Sequence, residues 1–159
     1  MKARKFQLDL CKTYPKATVK LASFFHREST SGPFDPNNLT LLTSDKAELS
    51  VKGADIVIVD DIIDSATTLS VLANRLHLQG ARNIYVCASH GLFTENSMKL
   101  IDSCPVTKVF VTNSLPLPKN TSSKVIQLSV AHLLADVIVA EHLRKLNIDR
   151  DEEFTFEEE

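Results

Sequence analysis

The sequence predicts an α/β fold of three layers, a mostly parallel sheet flanked by helices, and three observations predict it. Asp55 to Val59 is a continuous branched apolar run of strand length, the signature of a parallel strand covered on both faces. Ser65 to Gln79 then changes to helical spacing, with Leu69, Leu72, Ala73 and Leu76 on one face and Gly80 placed to close the helix. The unit repeats through a strand at Asn83 to Ala88, a loop at "SHGLF", a helix at Glu95 to Asp102 and a strand at Lys108 to Thr112. Such alternation implies right-handed crossovers and a parallel sheet.

The remaining elements follow in order. Lys2 to Thr13 carries Ala3, Phe6 and Leu10 at helical spacing, and Tyr14-Pro15 ends it because a residue before proline is pushed out of the helical region. Thr18 to Phe25, "TVKLASFF", is β-branched and aromatic and reads as a strand. His26 to Asn38 reads as a loop, Leu39 to Leu42 as a short edge strand, and Lys52-Gly53 as a turn. Val125 to Leu128 is the last strand; Ser129 then caps a helix whose buried side is expected to carry Val130, Leu133, Leu134, Val137, Ile138 and Leu143.

Residues 1–148 are expected to form one domain and 149–159, "DRDEEFTFEEE" from Asp149, a solvated, mobile acidic tail. A chain of 159 residues with 43% hydrophobic and 24% charged residues has enough apolar surface for a real core. The formal net charge of -2 excludes binding to nucleic acid by bulk electrostatics. Cys11, Cys87 and Cys104 form no CxxC pair and read as reduced structural thiols. No signal peptide is visible, and no apolar run approaches the roughly 18 residues of a membrane span, so a cytoplasmic setting is expected.

The chemistry concentrates where the Asp55 to Val59 strand ends. Ligands of open α/β sheets bind outside the carboxyl ends of the strands, and there the chain places Asp60, Asp61 and Asp64. Adjacent carboxylates repel unless something cationic or hydroxylic satisfies them, which suits vicinal sugar hydroxyls or a magnesium ion that keeps much of its water. The turn that follows, Asp64-Ser65-Ala66-Thr67-Thr68, offers hydroxyls and the backbone N–H groups of a helix N-terminus, a site that favours phosphate. A sugar phosphate presents a diol at one end and a phosphate at the other, matching the two halves of the stretch. The blander reading of a single aspartate here is a solvated loop residue or a helix cap.

The segment "VIVDDIIDSATTL" resembles the phosphoribosyl diphosphate loop of type I phosphoribosyltransferase folds, and specifically that of the ribose-phosphate diphosphokinase family. The resemblance continues through "GARNIYVCASHGLFTENSMKLI", "VFVTNSLPLP" and "KVIQLSVAHLLADVIVAEH", covering about Lys2 to His142. Family members are about twice this long with two similar halves, and the chain is similar to the C-terminal one. The resemblance implies transfer of a diphosphoryl group from Mg-ATP to ribose 5-phosphate, with ATP held largely by the other half and by neighbouring subunits. This chain alone is then expected to be inactive. It further implies that Asp60 and Asp61 face the ribose hydroxyls and a magnesium-bound water, and that Asp64 to Thr68 wrap the 5-phosphate. The partners implied are ribose 5-phosphate, ATP, and either a homo-oligomer or other synthetase subunits.

Two positions depart from the family. Thr67 stands where the family usually has glycine, which lets the backbone approach phosphate closely and tolerates unusual torsions, whereas a β-branched residue is stiff at χ1 and poor at positive φ. Aligning "FHREST" on the family's mobile loop puts Arg27 at its catalytic lysine and Ser29 at its arginine; Arg and Lys are not interchangeable. These departures leave a second reading, a noncatalytic synthetase-associated subunit, and a third is a nucleobase phosphoribosyltransferase using the same loop. His26, beside Arg27, is a candidate contact for nucleotide phosphate. His90, before Gly91 at another strand end, either faces the cleft or orders its loop by a hydrogen bond. His77, His132 and His142 lie in helical patterns without metal-ligand spacing and read as structural.

Overall fold

The computed structural model of the chain describes residues 2–16, 22–26, 39–43 and 50–145. The chain divides into two compact units, Met1–Gln127 and Leu128–Glu159. The expected acidic tail lies outside the described residues. In the first unit, helix α1 spans Lys2–Thr13 as expected, and Tyr14 N–H still donates to the Leu10 carbonyl at 2.8 Å before Pro15 stops the pattern. Strand β1, Ala22–His26, pairs antiparallel with β2, Leu39–Thr43, in the register Ala22 to Thr43 and His26 to Leu39. The expected strand start at Thr18 lies outside the described residues, and His26 belongs to the strand rather than to the loop.

The principal sheet has four strands in the order β3 (Asp55–Ile63), β4 (Asn83–Gly91), β5 (Lys108–Thr112), β6 (Val125–Leu128). The β3–β4 and β4–β5 pairings are parallel, and helices α2 (Thr67–Leu78) and α3 (Ser97–Ser103) make the connections. Gly80 closes α2 as expected: its φ is +88°, and its N–H donates to the His77 carbonyl at 2.9 Å. Its carbonyl accepts the Gly53 N–H at 2.7 Å, which ties the turn before β3 to the end of α2.

Burial on the strands follows the pleat. Ile58, Ile84, Val86, Val109 and Val111 are buried with Leu69, Leu72, Ala73 and Leu76 of α2 and Ile101 of α3. The alternating set, Val57, Val59, Tyr85, Cys87 and Phe110, is half-buried or exposed. All three cysteines are free thiols, and burial pushes the Cys87 thiol up, away from the reactive thiolate. The orphan carbonyls at the end of α3 are met by one side chain: Lys124 Nζ donates to those of Ile101, Asp102 and Cys104 at 3.0, 3.0 and 2.8 Å.

In the second unit, helix α4 spans Ala131–Lys145, and Ser129 Oγ accepts the Ala131 N–H at 3.2 Å, as its capping role requires. Taken by itself, this unit does not cover the side expected to be buried. No residue of α4 is buried, and Leu133, Leu134, Val137 and Ile138 are exposed, Leu133 at 66%. Helical periodicity marks which side chains share a face; burial needs a facing surface that periodicity does not supply.

At the amino end of the sheet, Arg82 forms a two-pronged ion pair with Asp55, and Asn83 Nδ2 adds a bond to Asp55 Oδ1 at 2.9 Å. The hydrogen bonds from Arg82 and then Asn83 hold the Asp55 carboxyl down at about 2. The depressed value means that this pair's contribution is complete above the ordinary carboxylate range and is lost as pH falls from there through about 2. In a carboxyl-detected NMR titration, Arg82→Gln is expected to return Asp55 toward the ordinary range. An unmoved midpoint would show that Arg82 does not hold it.

Candidate functional site

The site is built on an extension of β3. The strand does not stop at Val59 but continues to Ile63, because pairing with β4 continues: Asp60 lies beside Ala88, Ile62 beside His90 and Ile63 beside Gly91. The acid pair therefore sits inside a strand, where consecutive side chains point to opposite faces. Asp60 lines a cavity of about 250 Å³ at the strand end; Asp61 is not among its lining residues. The Asp61 N–H donates to Asp60 Oδ1 at 2.8 Å, which fixes the first carboxylate relative to the backbone of the second.

Beyond Ile63 the chain bends at Asp64 and Ser65 and enters α2 at Thr67, two residues later than periodicity suggests. The intervening Ala66 carries the turn, with φ 61° and ψ 10° in the left-handed region. This corrects the torsional objection to Thr67. Among the described residues the positive-φ non-glycine positions are Ala66, Phe93 and Glu95, while Thr67 is the first helical residue. Its Oγ1 lies 3.1 Å from Ser65 Oγ, so two of the predicted hydroxyls form one pair. Helical residues lose backbone entropy when changed to glycine, whereas a left-handed alanine gains from it. Urea denaturation is accordingly expected to show Thr67→Gly less stable and Ala66→Gly more stable, each by about 0.5 kcal/mol. Stabilisation by Thr67→Gly would restore the torsional objection.

The cavity brings together Asp60, Asp64, Ser65, Ala66, Thr67 and Thr68 over a floor of Ile58, Leu69, Leu72 and Val86. Ile62 and Ile63 also line it, an apolar wall that carries no polar signal in the sequence. Asp64 accepts a hydrogen bond from the Thr94 hydroxyl, which comes from the loop after β4. No sequence signal marks this contact, since the partners are thirty positions apart.

His90 stands at the end of β4 with its ring Nδ1 2.8 Å from Ser114 Oγ. Ser114 Oγ and Thr112 Oγ1 in turn donate to the Ser89 carbonyl at 3.1 and 2.6 Å. His90 does not line the cavity, and its observed bond is of the loop-ordering kind. His26 ends β1 and its side chain lies outside the described residues, as do Arg27 and Ser29. His77, His132 and His142 belong to no group of three or more potential metal ligands among the described residues. No helix among these residues is long and apolar enough to cross a membrane.

Comparison with known proteins adds family to this geometry. Residues 44–149 match the family model described as "Phosphoribosyl synthetase-associated domain". A ribose-phosphate pyrophosphokinase of Listeria ivanovii is 43% identical over 94 residues, 58% of this chain and 30% of that protein. Ribose-phosphate pyrophosphokinase 1 of Lactococcus lactis is 35% identical over 96 residues, 60% of this chain and 30% of that protein. The crystal structure of phosphoribosylpyrophosphate synthetase from Mycobacterium smegmatis superposes with a TM-score of 0.69 at 24% identity, covering 90% of this chain and 42% of that one. The chain thus spans less than a third of these curated relatives and under half of the solved structure.

Proposed function

Because the chain belongs to the phosphoribosyl synthetase-associated domain family, we propose that it supplies the sugar-phosphate site of a ribose-phosphate diphosphokinase. In that reaction the anomeric oxygen of ribose 5-phosphate takes the diphosphoryl group of ATP and AMP leaves. The observation that carries the reading is the cavity, which has a carboxylate at the strand end and a hydroxyl-rich helix start at the other end. Asp60 accepts hydrogen bonds from ribose hydroxyls, an arrangement that orients the anomeric carbon. Ala66 has no side-chain oxygen to cap α2, so the first-turn N–H groups of the helix are left for the 5-phosphate. The hydroxyls of Ser65, Thr67 and Thr68 add donors beside them.

Magnesium fits this donor set. Asp60 offers a hard oxygen ligand at the cavity and Asp61, outside its lining, would reach such an ion through water; an ion of this kind takes one or two carboxylates together with water and substrate oxygens rather than a protein cage. When bound, it neutralises charge on the transferring phosphates. The catalytic role of Arg27 and the nucleotide contacts of His26 and His90 belong to the same proposal, as do an oligomer with synthetase subunits and a cytoplasmic setting. The helical torsion of Thr67 speaks against the torsional part of the case for a noncatalytic subunit and leaves the part that concerns close approach of backbone to phosphate as it was.

Titration of the labelled protein with ribose 5-phosphate tests the site. Amide resonances from Ser65 to Leu69 are expected to shift first, followed by Asp60 and Asp61. Shifts confined to other elements would move the ligand elsewhere and end this reading.

A further inference from the structure

We propose that Thr94 is a positioning residue of this site: its hydroxyl engages the Asp64 carboxylate and so fixes the turn that receives the phosphate. The inference rests on the sugar-phosphate reading above and names a residue outside the turn itself. Thr94 lies in the loop between β4 and α3, and that loop grips the end of β3. The N–H groups of Leu92 and Phe93 both donate to the Ile63 carbonyl, at 2.9 and 3.3 Å, directly before Asp64. Phe93 is buried in the core, with its ring against Gly91. The Thr94 carbonyl accepts the Ser97 N–H at 3.1 Å, which ties the other side of the residue to α3.

The backbone around Thr94 is unusual. Phe93 and Glu95 both have φ 52°, so left-handed residues that are not glycine flank it on each side. Such torsions persist where the surroundings over-determine them, and they cluster at ligand clamps. Here they aim a single hydroxyl, and it donates to Asp64 Oδ1. A carboxylate beside a phosphate site repels the ligand unless its charge is engaged elsewhere. A charge-assisted hydrogen bond does that and also fixes the side chain's orientation. Thr94 would act through Asp64 without touching the sugar phosphate.

The test compares Thr94→Val, which keeps the β-branch and removes the donor, with Thr94→Ser, which keeps the donor. In the unliganded protein, hydrogen exchange at the Ser70 amide, which donates to the Ala66 carbonyl of the turn, is expected to rise about tenfold in the valine variant and to stay near wild type in the serine variant. The Val109 and Val111 amides serve as a core control. Unchanged exchange in the valine variant overturns the proposal, and so does a rise shared with the core, which reports general destabilisation. In ribose 5-phosphate titrations the valine variant is expected to bind about tenfold more weakly, with serine restoring affinity. Equal affinity in wild type and valine variant overturns the positioning role, whereas a wild type that binds no ribose 5-phosphate overturns the sugar-phosphate reading, with the exchange data still deciding what Thr94 does to the turn.

Discussion

Gly91→Ala is expected to destabilise the domain by about 3 kcal/mol, read as a lower urea midpoint at unchanged m-value. A Cβ at this position would lie 2.3 Å from Phe93 Cε2 and 2.8 Å from Cζ. The ring cannot move aside cheaply, because Phe93 is only 6% exposed and its backbone is already held in the left-handed region. The added methyl therefore drives a phenyl group out of the core or pushes β4 away from the loop. Since that loop holds Ile63 and Asp64, the order of the phosphate turn should fall with stability. A double-mutant cycle identifies the cause. In a Phe93→Ala background the same glycine substitution is expected to cost less than about 1 kcal/mol, since the atoms it meets are gone. Equal costs in both backgrounds would mean that something other than the ring requires glycine.

Asp60→Asn is expected to weaken ribose 5-phosphate binding on the order of a hundredfold, about 3 kcal/mol for two hydrogen bonds to a charged acceptor. Asparagine keeps the shape and one acceptor oxygen for the Asp61 N–H, so thermal stability should move little. The contrast with Asp61→Asn carries the structural content. Only Asp60 of the pair lines the cavity, and the neighbouring substitution is expected to cost less than tenfold. Calorimetric titration of both variants checks the ordering. Equal losses would show that the two carboxylates act together on the ligand and that strand alternation does not separate their roles.

The alternation of strand and helix was legible in the sequence because it is written in local pattern. The Leu69, Leu72, Ala73, Leu76 face, Gly80 after the helix and Ser129 before α4 each state their role within a few residues, and each adopted it; the Val57, Ile58, Val59 run formed its parallel strand, with Val57 exposed rather than covered. The segment of the site was legible for the same reason, since acids and hydroxyls between a strand and a helix sit where such sheets bind ligands. What they do to one another was decided by partners far along the chain. Pairing with β4 drew Asp60 to Ile63 into the strand, and of the acid pair Asp60 came to line the cavity and Asp61 did not. The same continuation left the sharp bend to Ala66, so the left-handed torsion fell one residue before Thr67. The Thr94 contact exists only because the β3–α2–β4 crossover lays β4 beside β3 and brings the loop after β4 against the end of β3. Likewise, the apolar stripe of α4 is visible in the sequence, but its exposure is not. A residue's local preference depends on its own covalent geometry and near neighbours, whereas strand length, side-chain direction and burial depend on which surface arrives to pair with it.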